Sequence, residues 1–150
     1  MSPPYTMKTQ ADDLKFGDRK EIEILPLLRT LPHPNAKDLA KQSDKYAVMD
    51  YCDATQSVFA ELKSRRIPHN RYPTAIIGWN KIREAKRRSE SGSSSFFVWS
   101  YSDGVYYLPY ETKLFDTFQH EEDYQRGERS DCLNGGQHIV LIPHNHLLKL

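Results

Sequence analysis

The pattern of polar and apolar residues at the start of the chain predicts an arm followed by a helix. Residues 1–15 are polar, contain two prolines and show no periodicity, which is typical of a flexible arm. Asp18 can cap a helix whose third residue is Glu21. Beyond this cap, apolar residues recur at helical spacing, at Ile22, Leu25 and Leu28. We therefore expect a helix that begins at Asp18.

Prolines divide the next part of the chain. Pro26 falls inside the helical stretch and predicts a kink or a restart of the helix. Residues 31–35 contain two further prolines and predict a loop. Residues 36–42 then predict a short second helix.

Two runs of aromatic and β-branched residues, 45–51 and 57–63, predict strands. Only five residues separate them, so we expect an antiparallel hairpin. With the turn centred on residues 55–56, Asp50 lies opposite Glu61. The register thus places two carboxylates side by side on one face of a sheet.

The middle of the chain predicts one helix flanked by loops. Residues 64–73 form a basic connection bounded by proline, and the serine-rich residues 89–95 predict a flexible linker. Between them we expect a helix from Thr74, because apolar residues follow at helical spacing. These residues are Ala75, Trp79 and Ile82.

The last third predicts strands. An Asp-Gly pair at 103–104 joins runs 96–101 and 105–110 and predicts a hairpin. Residues 112–136 are polar and acidic and predict no defined element, whereas 137–142 predict a final strand. The order helix, hairpin, helix, hairpin, strand indicates a mixed α/β or α+β domain built on one sheet.

Length and composition limit the class of protein. The 150 residues match one domain, which we assign to residues 16–150. No run approaches the roughly 20 apolar residues that span a bilayer, and the N-terminus lacks the features of a signal peptide. We therefore expect an intracellular protein without membrane association. Two cysteines, Cys52 and Cys132, are too few for a disulfide framework and are expected to be ordinary thiols.

The net charge of +1 hides an uneven distribution. Residues 63–88 hold nine basic residues and one acid, a local charge of +8. Residues 111–131 hold seven acids and three basic residues, a local charge of −4. The net charge of the whole chain argues against a uniformly basic protein that coats nucleic acid. A solvated helix face beside an acidic loop explains the same distribution, so the neighbouring motif has to decide.

That motif lies on the second predicted strand. Side chains alternate along a strand, so Glu61 and Lys63 point to one face while Leu62 points into the core. Asp50 and Glu61 repel each other when held close together, and a hard divalent cation such as Mg²⁺ relieves that repulsion. A lysine beside the cation can hold or deprotonate a water and stabilise a pentacovalent phosphate. The arrangement suits phosphodiester hydrolysis.

The pattern resembles the PD-(D/E)xK, or restriction-endonuclease-like, nuclease superfamily, in which an Asp on one strand precedes Glu-x-Lys on the next. Here Asp50 is followed eleven residues later by Glu61-Leu62-Lys63. The resemblance covers about residues 16–110 and implies a metal-dependent nuclease with a central mixed sheet flanked by helices. It also implies that Asp50, Glu61 and the Leu62 carbonyl bind Mg²⁺ or Mn²⁺, and that Lys63 activates or positions the water.

Some positions depart from this pattern or allow another interpretation. In the superfamily an acid on the first helix often joins the site, and Glu21 matches it, although a capping box also explains Glu21. Met49 stands where the superfamily has proline. Asp53 is a second candidate for the first carboxylate, but stabilising its own turn is the preferred interpretation. Glu61 and Lys63 also fit a solvent-facing pair on one strand.

The basic stretch beside this motif predicts salt-dependent contacts with phosphates that do not depend on base sequence. Tyr72 and Trp79 can stack on bases, although the position of Trp79 in the apolar stripe favours the core. We expect nucleic acid as the partner, DNA rather than RNA, and a homodimer or larger assembly. The residues predicted to contact phosphates are Arg65, Arg66, Arg71, Lys81, Arg87 and Arg88.

Other chemistries and functions were weighed against the nuclease. His138, His144 and His146 follow Cys132, but no fourth ligand has a convincing spacing, so zinc is not expected. An inactive module that binds nucleic acid on a decayed nuclease fold stays open. So does a structural or interaction protein in which the basic helix meets the acidic segment 111–131.

Overall fold

A computed structural model describes residues 10–44, 46–124 and 136–150 of the chain. The α-helices are α1 (Gln10–Glu23), α2 (Leu25–Leu28), α3 (Trp79–Glu90) and α4 (Thr112–Phe115). The first strands are β1 (Ala40–Lys41), β2 (Tyr51–Cys52), β3 (Val58–Ser64), β4 (Thr74–Gly78) and β5 (Ser94–Tyr101). The others are β6 (Gly104–Pro109), β7 (Gln119–Tyr124), β8 (Gln137–Pro143) and β9 (Leu148–Lys149). Short 3-10 helices span Ala36–Asp38 and His144–His146.

The strands form two sheets. The larger has the order β1-β2-β3-β5-β6-β9, with β3 and β5 parallel and the other neighbours antiparallel. The smaller is antiparallel, with the order β4-β8-β7. The predicted mixed α+β class with a central mixed sheet is confirmed. The prediction that one sheet carries all the strands is wrong.

The central strands of the larger sheet are buried on both faces. Val58, Ala60 and Leu62 of β3 pack in a cluster that includes residues of α2. The alternate residue Phe59 packs on the opposite face, in a cluster that includes residues of α3 and the smaller sheet. Because side chains alternate along β3, Glu61 belongs to that second face. The candidate catalytic carboxylate thus points away from α2 and toward α3.

The hairpin formed by β2 and β3 confirms the predicted register. Tyr51 pairs with Ala60, so the next position outward sets Asp50 opposite Glu61. The predicted first strand, 45–51, is much shorter in the structure, because β2 is only two residues long.

A turn after Asp44 explains the shortened strand. The Asp44 side chain accepts a hydrogen bond from the Tyr46 amide, and its carbonyl accepts one from the Ala47 amide. Asp side chains stabilise turns in this way. The chain therefore bends where the sequence predicts extended backbone.

Helix α1 begins eight residues earlier than predicted. It starts at Gln10, so residues 10–15, assigned to the arm, are helical; residues 1–9 lie outside the described part. Asp18 is inside the helix and cannot be its N-cap, so the capping-box explanation of Glu21 is wrong. The break at Pro26 is confirmed, because α1 ends at Glu23 and a new helix begins at Leu25.

The helix predicted from Thr74 is wrong at its start. Thr74–Gly78 forms β4, in which Ala75 and Ile77 are buried and their neighbours are not, and it pairs with β8. The helix begins at Trp79 and runs to Glu90, into the predicted linker. It ends where Gly92 has a φ of +88°, a conformation that favours glycine.

Three further regions complete the comparison with the predicted elements. Residues 36–42, predicted as a helix, form a 3-10 helix followed by β1. The acidic region left without an element contains α4 and β7. The β5-β6 hairpin and the strand predicted at 137–142 are confirmed, but that strand, β8, is not the last one, because β9 follows it. Within the described residues, no helix is long and apolar enough to cross a membrane.

Candidate active site

Two backbone amides hold Asp50 in place, one from β3 and one from the residue that follows β1. The Leu62 amide donates a hydrogen bond of 2.9 Å to Asp50 Oδ2. The Gln42 amide donates one of 2.8 Å to the Asp50 carbonyl. These bonds fix both the side chain and the backbone of Asp50 next to the Glu-x-Lys segment.

Glu61 is the most deeply buried acid of the candidate site. Its side chain is 5% exposed, and its Oε2 lies 3.3 Å from Lys81 Nζ. Its other oxygen, Oε1, is buried and has no hydrogen-bond partner among the described residues. Burial raises the pKa of Glu61 to about 8, the charge of Asp50 adds to the rise, and Lys81 and Lys63 oppose it. Glu61 is therefore a buried carboxyl that lacks full compensation.

Glu21 reaches the same carboxylates from α1. Lys41 Nζ lies 2.9 Å from Glu21 Oε2, and the Tyr51 hydroxyl donates to the Glu21 carbonyl. Burial raises the pKa of the Glu21 carboxyl, the hydrogen bond from Lys41 opposes this, and the charge of Asp50 raises it further. Because Asp50 perturbs both Glu21 and Glu61, the structure brings the three acids together.

Lys81 has a position that the sequence did not indicate. It was predicted to contact phosphates, yet its ammonium lies on Glu61 and also donates to the Val48 carbonyl. Glu61 and Lys81 are twenty positions apart and belong to different elements, so no local pattern links them. In the structure Lys81 therefore belongs with the carboxylates.

Asp53, the second candidate for the first carboxylate, is engaged in the turn of the hairpin. Its oxygens accept hydrogen bonds from the Ser57 amide at 2.8 Å and the Val58 amide at 2.9 Å. The hydroxyls of Thr55 and Ser57 donate to it as well. Burial raises the pKa of Asp53, but the bonds from Thr55, Val58 and Ser57 outweigh it and hold the pKa below its usual value. Asp53 stabilises the turn.

The carboxylates supply the hard oxygen donors that Mg²⁺ and Mn²⁺ prefer. Among the described residues, no three His, Cys, Asp or Glu side chains form a group that could hold a metal ion. Mg²⁺ is commonly held by one or two carboxylates while it keeps several waters. Asp50 and Glu61, with the unpartnered Glu61 Oε1, fit that mode of binding.

Three of the arginines predicted to contact phosphates lie on the 64–73 connection, at or near the surface of the protein. The Arg66 guanidinium lies 4.2 Å from the centre of the Phe16 ring. Arg65 is close enough to Tyr101 that its charge lowers the Tyr101 pKa, which burial raises to about 12. Arg71 is exposed, and so is Tyr72, at 53%. Arg66, Arg71 and Tyr72 are thus exposed on this connection, and Arg65 is partly exposed.

The other two predicted phosphate contacts lie toward the C-terminal end of α3. Arg87 and Arg88 both donate to Glu84, at 2.7 and 2.8 Å. The Arg88 guanidinium also lies over the Phe59 ring at 4.5 Å. Seven helical residues, about 10 Å, separate Arg88 from Lys81. The structure therefore does not bring Arg87 and Arg88 to the carboxylates.

A cavity of about 460 Å³ lies beside the two lysines whose charges lower the pKa of Glu61. Lys63 and Lys81 both line it, and Trp79 at the start of α3 forms part of its wall. Trp79 is only half-buried and packs partly against the core, so it is not enclosed as the apolar stripe suggests. The other lining residues are Ile76, Ile77, Gly78, Asn80, Arg83, Gln137, His138 and Ile139.

The C-terminal histidines have different neighbours. His138 Nε2 lies 2.9 Å from Nδ1 of His120, on the adjacent strand. His144 contacts the Tyr101 ring, and His146 contacts the Phe118 ring. Cys132 lies outside the described residues.

The comparisons with known proteins agree with this architecture. A family model described as "Phage putative PDDEXK endonuclease" matches residues 17–144, which include the second half of α1 and every element from α2 to β8. No curated protein matches the chain significantly. The match includes the hairpin with Asp50, Glu61 and Lys63, and the PD-(D/E)xK resemblance is thereby confirmed. The chain belongs to the phage PDDEXK endonuclease family.

Proposed function

We propose that the protein is a metal-dependent nuclease that hydrolyses phosphodiester bonds of DNA with Mg²⁺ or Mn²⁺. The observation that carries this proposal is the state of Glu61. Its Oε1 is buried without a hydrogen-bond partner among the described residues, and its pKa is raised to about 8. Such a carboxyl costs stability unless a cation joins it, and perturbed acids of this kind concentrate at functional sites.

The metal would be held by Asp50, Glu61 and the carbonyl of Leu62. In a strand, the N–H and C=O of one residue point toward the same neighbouring strand. Because the Leu62 amide points at Asp50, its carbonyl points to that side as well. A divalent cation bound there would polarise the scissile phosphate and lower the pKa of its bound water.

Lys63 is assigned the role of positioning the attacking water and the phosphate. It shares the face of Glu61, lowers the Glu61 pKa by its charge, and lines the adjacent cavity. Glu21 is proposed to support Asp50 from α1, with Lys41 holding the Glu21 carboxylate in place. Lys81 is proposed to neutralise Glu61 when the metal is absent.

DNA would be bound through the exposed basic surface of the 64–73 connection. Arg65, Arg66, Arg71 and Tyr72 lie there, beyond the end of the strand that carries Lys63. Contacts of this kind give an affinity that falls as salt rises, whatever the base sequence. We propose that Arg87 and Arg88 extend this DNA-binding surface along α3. In the structure, both guanidinium groups donate hydrogen bonds to Glu84.

Cleavage assays test the proposal directly. Single-stranded, double-stranded and branched DNA, and RNA, are incubated with the protein in Mg²⁺, in Mn²⁺ or in EDTA. We expect cleavage of DNA with metal and none in EDTA. Replacing the positioning lysine, Lys63→Ala, should slow cleavage at least about 100-fold. Lys113→Ala, an exposed lysine on α4, is the matched control and should cut like the wild type.

Other results of this assay would contradict the proposal. If no substrate is cut with either metal, or if Lys63→Ala cuts as fast as the wild type, the assignment is wrong. Salt-dependent binding to DNA without cutting would identify an inactive binding module instead. The predicted homodimer or larger assembly stays a prediction, which the molar mass measured by light scattering tests separately.

A further inference from the structure

The cavity beside Lys63 has a chemistry that the hydrolysis step does not require. The cations Lys63, Lys81 and Arg83 line it, and no acid among the described residues does. A concave site lined by one sign of charge attracts ligands of the opposite sign. A phosphodiester lying against Lys63 therefore meets a cationic opening and not a neutral wall.

The part of the wall made by Trp79 is aromatic. The Trp79 ring stacks on His138 at 5.3 Å between ring centres and 24° between ring planes. His120 lies 4.9 Å from Trp79 and 5.1 Å from His138, so the two imidazoles pack beside each other against the indole. These contacts hold the Trp79 ring in place while it remains partly exposed. Fixed aromatic rings of this type are the surfaces on which unpaired bases stack.

Polar and apolar groups complete the wall. Asn80 and Gln137 are exposed amides, each able to donate and accept hydrogen bonds at the edge of a base. Ile76 and Ile139 contribute apolar surface. Cations, an aromatic ring, amides and apolar side chains together match the phosphate, the base plane, the base edge and the sugar of a nucleotide.

The size of the cavity restricts what can enter it. About 460 Å³ is in the range of sites that hold one small ligand. A duplex is far too wide for it, so a base can enter only after leaving the helical stack.

We propose that this cavity holds one unpaired base next to the scissile phosphate, which makes DNA with unstacked bases the preferred substrate class. The inference rests on the proposed nuclease function and adds the substrate class to it. Lys63 and Lys81 connect the two sites, because both line the cavity and both act on Glu61.

Fluorescence in EDTA tests the cavity without cleavage. Trp99 is buried, at 1% exposure, so quenching by an added base reports on Trp79. Three probes are titrated: a single-stranded oligonucleotide of thymidines, a sugar-phosphate strand of the same length without any base, and a duplex of equal length. We expect strong quenching by the first probe and little by the other two, even where fluorescence anisotropy shows that they bind.

Variants give the second measurement. Stacking on one aromatic ring contributes enough that Trp79→Ala should bind the single strand about tenfold more weakly. Trp79→Phe keeps an aromatic ring and should recover most of that affinity. Leu148→Ala, an exposed apolar residue three strands away from β3 in the larger sheet, is the control and should bind like the wild type.

The outcomes separate this inference from the proposed function. Equal quenching by the strand with and without bases overturns the cavity assignment, and that comparison needs only the wild-type protein. If DNA is cut with metal while Trp79→Ala, folded by circular dichroism, cuts single strands and duplexes with unchanged rates, the inference fails and the nuclease stands. If base-dependent quenching occurs and no DNA is cut with metal, the proposed function fails and the cavity assignment stands.

Discussion

Two buried carboxyl groups on one hairpin differ in almost every respect except burial. Asp53 lies at the turn and is 2% exposed, and Glu61 lies on strand β3 and is 4% exposed. Asp53 accepts hydrogen bonds from two backbone amides and two hydroxyls, so its charge is compensated inside the protein. Glu61 has one ion pair and one oxygen without a partner among the described residues. Burial alone therefore does not separate a structural acid from a functional one.

The pKa directions state the same difference in energetic terms. Hydrogen bonds hold the pKa of Asp53 below its usual value, although burial raises it, so the folded protein favours its charged form. Burial raises the pKa of Glu61, so the folded protein resists its charged form. The charged form of Asp53 stabilises the fold at neutral pH, whereas the charged form of Glu61, the proposed metal ligand, reduces the stability of the fold.

The largest expected effect is on catalysis. Glu61→Gln removes a proposed metal ligand and should slow DNA cleavage by at least about 1,000-fold, equivalent to roughly 4 kcal/mol in the barrier. Asp53→Asn, the matched amide substitution on the same hairpin, should cut at a rate close to wild type while it is folded. Initial rates in saturating Mg²⁺ measure both. If Asp53→Asn abolishes cleavage and Glu61→Gln does not, Asp53 is the metal ligand and Glu61 is a structural acid.

The same Glu61→Gln substitution should stabilise the protein without metal. Because burial raises the pKa of Glu61 to about 8, the folded state binds this proton more tightly than the unfolded state does, so stability falls as pH rises from about 4.5 to about 8. Glutamine does not titrate, so it adds no pH dependence to the stability. The free energy of unfolding of the variant should exceed that of the wild type by on the order of 3 kcal/mol at pH 9 in EDTA. Urea denaturation at pH 5 and pH 9 measures the gain. An equal difference at the two pH values would contradict the assignment.

Asp53→Ala should have the opposite effect on stability. The charged form is favoured in the folded state, so its contribution is present above the unfolded pKa of about 4 and is lost as pH falls below that value. Losing the bonds to the turn should cost about 2 kcal/mol at pH 7, measured by urea denaturation. Asp38→Ala, an exposed acid on the 3-10 helix before β1, is the control and should change stability little.

The smallest effect concerns the partner of Glu21. Lys41→Met removes an ion pair at 2.9 Å in which the lysine side chain is 39% exposed. Solvent screens such pairs, so denaturation at pH 7 should show a loss of about 0.5 kcal/mol or less. A loss of stability several times larger would mean that Lys41 compensates the charge of Glu21 as fully as the hydrogen bonds of the turn compensate the charge of Asp53.

The hairpins were predictable because their signals are local. The spacing around residues 55–56 and the Asp-Gly pair at 103–104 set turns and registers within a few residues, and both hairpins form as expected. The opposition of Asp50 and Glu61 follows from the same short-range geometry. Most of the candidate site was therefore within reach of the sequence.

The smaller sheet and the position of Lys81 were not predictable in this way. Strand β4 is stabilised by pairing with β8, more than sixty residues later, whereas the spacing of Ala75, Trp79 and Ile82 in the sequence fits a helix. Lys81 lies in a strongly basic run, which predicts a solvated or phosphate-binding side chain. Only the packing of α3 against the larger sheet, mainly on β5 beside β3, turns it toward Glu61. Long-range contacts of this kind leave no local pattern.

The pairing of β4 with β8 also has a consequence for the order in which the protein gains its parts. The acids and Lys63 belong to strands and helices that the ribosome completes early, whereas Gln137, His138 and Ile139 of the cavity wall come from β8. Pairings between distant segments form late in folding. A nascent chain would therefore contain the proposed catalytic residues before the wall of the proposed base-binding cavity is complete.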